Sequence, residues 1–65
     1  MKNPTIDRRG IARLLKAGWS KRDLAERFQV SRPFLDRIIG DNAEPAHPGI
    51  TIWINQEIEK ALSGK

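Results

Sequence analysis

The chain has 65 residues, a net charge of +4 and no cysteine. A fold of this length buries only about 60% of its unfolded surface, so one small domain is expected, held by close helix packing or self-association and not by a disulfide or a cysteine-ligated metal. The charge is uneven: residues 1–40 carry ten Lys and Arg against four Asp and Glu, and residues 41–65 carry two against four, which points to a polyanionic partner for the first part and a different role for the second.

The first ten residues are polar and carry Lys2, Asp7, Arg8 and Arg9, unlike a signal peptide. No apolar run nears the ~20 residues of a membrane span, so a cytoplasmic protein without a membrane partner is expected. Asn3-Pro4 reads as a helix start, with Asn3 as cap and Pro4 at the first helical position. Ile11, Leu14 and Leu15 follow with a helical period, and Ile6 extends the same side upstream. Gly18 then stops this helix as a left-handed residue.

Ser20 predicts the N-cap of a second helix, Lys21 to about Phe28, with Asp23 at its third position as a short-armed capping box. The inner face is Leu24, Ala25 and Phe28, and the small Ala25 allows close approach of the next helix. Gln29-Val30 is the turn. Ser31 caps a third helix in which Pro33 is tolerated, because first-turn N–H groups have no intrahelical partner. Leu35, Ile38 and Ile39 form its buried side, and Gly40 and Asp41-Asn42 end it. Two short helices so joined, with Leu24, Ala25, Phe28, Val30, Leu35 and Ile38 locking them, suit a protein that lays one helix in the DNA major groove.

Residues 41–49 are a linker by composition, with two prolines, a glycine and turn-forming Asp and Asn. Residues 50–65 are ambiguous. Ile50, Ile52 and Ile54 alternate as in a short strand over 50–54, whereas Ile54, Ile58, Ala61 and Leu62 recur as in a helix from residue 51 or 52 to 62, capped by Thr51, or by Asn55 if a strand precedes it. The helical reading is preferred. It makes the fold all-α: a tri-helical helix-turn-helix domain over 1–40, a linker over 41–49 and a C-terminal dimerisation or packing segment over 50–65. On that reading Ile50, Ile54, Ile58 and Leu62 form a stripe flanked by Trp53 and Ala61, with Glu57, Glu59 and Lys60 outside. The stripe is expected to be the seam of a homodimer, with packing on the three-helix core as the alternative or as a second role.

The segment GWSKRDLAERFQVSRPFLDRI resembles the small bacterial and phage helix-turn-helix regulators of transcription, whose pattern is a small residue, a bulky turn residue, then Ser-Arg opening the recognition helix. IARLLKAG before it is similar to the first helix of the tri-helical DNA-binding regions of invertases and resolvases. The resemblance covers residues 5 to 40, with the apolar positions, Ala25 and the Ser31 cap in place. It departs at Gln29, where the family usually has glycine and where either glutamine accepts a positive φ or the turn differs slightly, and at Phe34, where a small polar residue is commoner. It implies a double-stranded DNA partner, a homodimer on an inverted repeat, and repression or autoregulation in a bacterium, phage or mobile element.

The third helix then presents Arg32, Pro33, Phe34, Asp36 and Arg37 to the bases. A guanidinium donates two hydrogen bonds to guanine O6 and N7, worth roughly 1–3 kcal/mol of discrimination. Arg37 lies five residues beyond Arg32, so one reads a base while the other grips phosphate. Asp36 accepts from cytosine N4 or orients Arg32 at i, i+4. Pro33 and Phe34 offer apolar surface to thymine methyls, with packing of Phe34 against the protein as the alternative. Phosphate contacts are expected from Ser20, Lys21, Arg22 and Ser31 at the two helix starts, with Arg27, Arg8 and Arg9 as further candidates. Trp19 reads as a lid on the core. His47 has no second histidine or cysteine to share a metal with, and no paired nucleophile and base, glycine-rich phosphate loop or carboxylate cluster is present, so neither an enzyme, a cofactor nor a small-molecule ligand is expected. Two alternatives stay open: a recombination directionality factor that bends DNA, and a tri-helical protein-interaction module without DNA contact.

Overall fold

The computed structural model describes residues 4–64, and among them the chain forms four helices and no strand: α1 (Arg8–Lys16), α2 (Lys21–Phe28), α3 (Arg32–Gly40) and α4 (Pro48–Ser63). The first helix begins later than Asn3-Pro4 suggests. Asp7 is its N-cap, its carboxylate accepting from the Gly10 N–H at 3.0 Å, and Asn3 lies outside the described residues. The physical reason is tertiary. The Asp7 N–H donates to Asn55 Oδ1, Asn55 Nδ2 donates to the Thr5 carbonyl, and the Ile6 N–H donates to Glu44, each at 2.9 Å. These side chains satisfy the backbone of residues 5–7 outside a helix, and Ile6 still reaches the core, 4% exposed.

The stops are local. Gly18 takes φ +117°, and the N–H groups of Gly18 and Trp19 close on the carbonyls of Leu15 and Leu14. Gln29, left-handed at φ 59° and ψ 43°, ends α2 with the same pair of bonds, from Gln29 to Glu26 and from Val30 to Ala25. Ser20 and Asp23 form the reciprocal capping box, and Ser31 Oγ accepts from the Phe34 N–H at 3.2 Å. Pro33 sits in the first turn of α3.

The C-terminal segment is one helix from Pro48, with no strand over 50–54 and no cap from Thr51 or Asn55. His47 holds the cap position without a side-chain bond, Thr51 is buried, and Asn55 is spent on the N-terminal segment. α4 packs on α1 and α2, and α2 packs on α3. Ile54 and Ile58 join Ile11, Leu14, Leu24, Phe28 and Leu35 in a single core, so residues 50–64 and the first three helices are one folded unit. Gly10 makes the α1–α4 approach close: a Cβ there would run into Ile58 Cγ2 and the Asp7 carboxylate.

Further polar ties hold α4 and the connector in place. Arg27 Nε donates to Glu57 Oε1 at 2.9 Å, which corrects the expectation that Glu57 stays outside: it is 7% exposed. The Trp53 indole N–H donates to the Phe28 carbonyl at 3.0 Å. Arg8 donates to the carbonyls of Ile38 and Ala43 and pairs with Glu44 at 2.6 Å, binding α1 to the end of α3 and the connector.

Candidate nucleic-acid interface

α3 buries Leu35 and Ile38 and turns its other side outward. At about 100° per residue, Arg32, Asp36, Pro33 and Arg37 follow one another round the exposed arc, and all four are exposed. Arg32 and Arg37 stand at opposite ends of that arc, with Asp36 between them, and neither arginine has an ion pair among the described residues. Phe34 is the exception in the expected set. It is half-buried and packs against the core, beside Ala43 and Glu44 of the connector, so packing claims most of its ring.

Asp36 does not orient Arg32. Its carboxylate faces Lys21 at the start of α2, with Oδ1 3.9 Å from Nζ. The two helices whose starts were expected to hold phosphates are thus linked through their exposed side chains. Arg22 lies 3.6 Å from Glu26 one turn on, both highly exposed. Exposed pairs of this kind are worth about 0–1 kcal/mol, so a phosphate can compete for either cation.

The two helix starts differ in electrostatics. At α2 the Asp23 carboxylate completes the capping box, and the Ser20 backbone N–H first, then the Ser20 hydroxyl, hold its pKa below the ordinary carboxylate value. That negative charge already occupies the positive end of α2. The first turn of α3 carries no acidic residue, so its dipole is unopposed by a side-chain charge; Pro33 has no N–H and those of Phe34 and Leu35 are taken by Ser31, which leaves the Arg32 N–H for an anion. Arg32 is therefore better disposed towards a polyanion than Ser20 and Arg22.

Other expected contacts have structural duties. Arg8 is tied to Glu44, Ile38 and Ala43. Arg27 is paired with Glu57 and sits 6.0 Å from the Trp19 ring centre, which places Trp19 as a half-buried lid. Nothing local in the sequence marks these pairs, since their members lie 36 and 30 residues apart. A feature that helical spacing does signal is a line of cations on α1: Arg9, Arg13 and Lys16, at i, i+4 and i+7, are exposed and without an ion pair among the described residues.

The expected dimer stripe is broken by the packing. Ile54 and Ile58 are 0% exposed in the protein's own core, so they are not available as a seam in the folded chain. The physical reason is that α4 packs on both α1 and α2 and adds Ile54 and Ile58 to the core that Ile11, Leu14, Leu24 and Phe28 form. Ile50, Trp53 and Leu62 remain at the surface, 37%, 39% and 40% exposed. Helical geometry puts Trp53 and Leu62 on opposite flanks of the buried side, and Ile50 in line with it in the first turn of α4.

No group of three or more metal-binding side chains and no helix long and apolar enough to cross a membrane occurs among the described residues. An open groove beside Gly18, Trp19, Asp23 and Arg27 has no unsatisfied buried polar atom aimed into it among the described residues. Comparison with models of known families, with curated proteins and with solved structures gives no match for this chain.

Proposed function

We propose that this protein binds double-stranded DNA in a sequence-specific manner, laying α3 in the major groove. The observation that carries this reading is the exposed face of α3. It holds Arg32 and Arg37 without an ion pair among the described residues, on a Ser31-capped helix with no acid in its first turn, and its opposite face is seated on α2. Arg32, near the start of the helix, reads guanine through two hydrogen bonds. Arg37, on the far edge of the arc, grips the backbone, and Ser31 with the helix start takes a phosphate. Lys21 and Arg22 add phosphate contacts by exchanging their carboxylate partners. Pro33 meets thymine methyls.

The biological role we infer is repression or autoregulation by occupying a promoter in the cytoplasm. The longest dimension is 33 Å, and one recognition helix covers one half-site, so two copies on an inverted repeat with centres about 34 Å apart give usable specificity. Such a dimer forms through Ile50, Trp53 or Leu62, or through the DNA itself, because Ile54 and Ile58 are spent. Titration of the protein onto duplexes from its own upstream region tests the proposal. Binding with log affinity falling linearly in log salt is expected, and sedimentation of the complex reports two copies. No binding at low salt would refute the reading.

A further inference from the structure

We propose that Asp36 is a selectivity residue, holding Lys21 in an ion pair that must open before Lys21 can take a phosphate, and so weakening binding to DNA of arbitrary sequence. The inference rests on the DNA-binding reading above and concerns how that surface chooses its sequence. Asp36 is the one carboxylate in an α3 that otherwise exposes Arg32, Pro33 and Arg37. Its oxygen lies 3.9 Å from Lys21 Nζ across the α2–α3 pair, and both side chains are about half exposed, 48% and 49%. It lies one turn from Arg32 as well, yet Arg32 has no ion pair among the described residues.

The consequence follows from charge. A polyanion approaching this face meets a cation whose charge a carboxylate partly offsets, and that carboxylate itself repels phosphate. When Lys21 turns to the backbone, Asp36 loses its partner and needs a new donor. The major groove offers one in the exocyclic amino group of cytosine or adenine. On a sequence that places such an amino group opposite Asp36, the exchange is balanced: Lys21 moves from carboxylate to phosphate, and the carboxylate moves from ammonium to amino group. On a sequence that puts no such group within reach, opening the pair would leave Asp36 unpaired beside phosphates, so the pair stays closed. Phosphate binding by Lys21 is thereby coupled to the identity of a base.

The test is a double-mutant cycle on a short random-sequence duplex, with affinity measured across a salt series for wild type, Asp36→Asn, Lys21→Gln and the double variant. Thermal melts serve as the folding control, because both side chains lie at the surface. Asp36→Asn is expected to bind the random duplex at least about threefold more tightly at low salt, with a log affinity against log salt slope steeper by about 0.9, the value of one further phosphate contact. Most of that gain should disappear in the Lys21→Gln background. An equal gain with and without Lys21, or no gain, overturns the coupling while leaving DNA binding intact. A wild-type protein that binds no duplex at low salt overturns the DNA-binding reading itself, and this inference with it.

Discussion

Arg27 of α2 and Glu57 of α4 meet in a 2.9 Å ion pair, with the Glu57 side chain 9% exposed. This pair is the polar counterpart of the Ile54 and Ile58 contacts, fixing α4 against the helix that supports α3. Arg27→Met leaves the buried carboxylate with only Lys60, 3.8 Å from its other oxygen. Removing one partner of a fully buried pair costs about 3–5 kcal/mol, and the part-exposed arginine and nearby lysine reduce that here to about 1–3 kcal/mol. A urea melt should show the loss, and Arg27→Met/Glu57→Leu should recover most of it.

Ile58→Asp separates the two roles that the apolar stripe of α4 can play. Ile58 is 0% exposed, so an aspartate there buries an unpaired charge in a domain whose whole stability is on the order of 5–10 kcal/mol. Loss of the helical circular-dichroism signal is expected. A folded monomer from an originally dimeric protein would show instead that the residue lies in a seam between copies.

Gly10→Ala should destabilise the fold although it raises helix propensity by about 1 kcal/mol. The new methyl meets Ile58 and the Asp7 cap, and overpacking a tight contact costs about 1–3 kcal/mol. An increase in melting temperature would contradict the α1–α4 approach described here. Gln29→Gly tests the opposite case. Gln29 sits at φ 59°, where glycine avoids a Cβ penalty of roughly 1–2 kcal/mol but loses more backbone entropy on folding, so a net gain of a few tenths to about 1 kcal/mol is expected in the same melt.

What could be read without the structure was set locally. Ser20, Asp23 and Ser31 cap within three residues of themselves, and Gly18 and Gln29 close their helices through neighbouring carbonyls, so the α2–turn–α3 unit and the exposed arc of α3 were legible. The features that were not legible depend on distant partners. α1 starts at Arg8 with Asp7 as its cap, because Asn55 and Glu44 satisfy the backbone of residues 5–7. Glu57 looked like a surface charge because its partner is 30 residues away. The stripe of α4 was visible, but periodicity reports that a face is apolar and not which surface covers it.

The two carboxyls with depressed pKa values give the acid behaviour a sign. Asp23 is held below 3.8 by the Ser20 backbone N–H and hydroxyl, and Glu44 below 4.5 by the Ile6 N–H and then the Arg8 guanidinium. Both bind protons less readily folded than unfolded, so their contribution is complete above those ordinary values and is lost as pH falls through the lowered ones. Urea midpoints should decline over that acid range. Glu44→Gln should lower the midpoint at neutral pH and flatten the decline, whereas an unchanged acid slope would show that Glu44 makes no such contribution.

Selection of bound duplexes from a random pool, followed by affinity measurement of Arg32→Ala and Arg37→Ala on the recovered sequence, tests the central claim most directly. One motif in two inverted copies, with guanine in each half, is expected to be enriched. Each variant is expected to lose at least tenfold in affinity, about 1.4 kcal/mol or more, with helical content unchanged. A pool that stays random, or a motif bound equally well by both variants, would contradict the assignment of α3 as the helix that reads DNA.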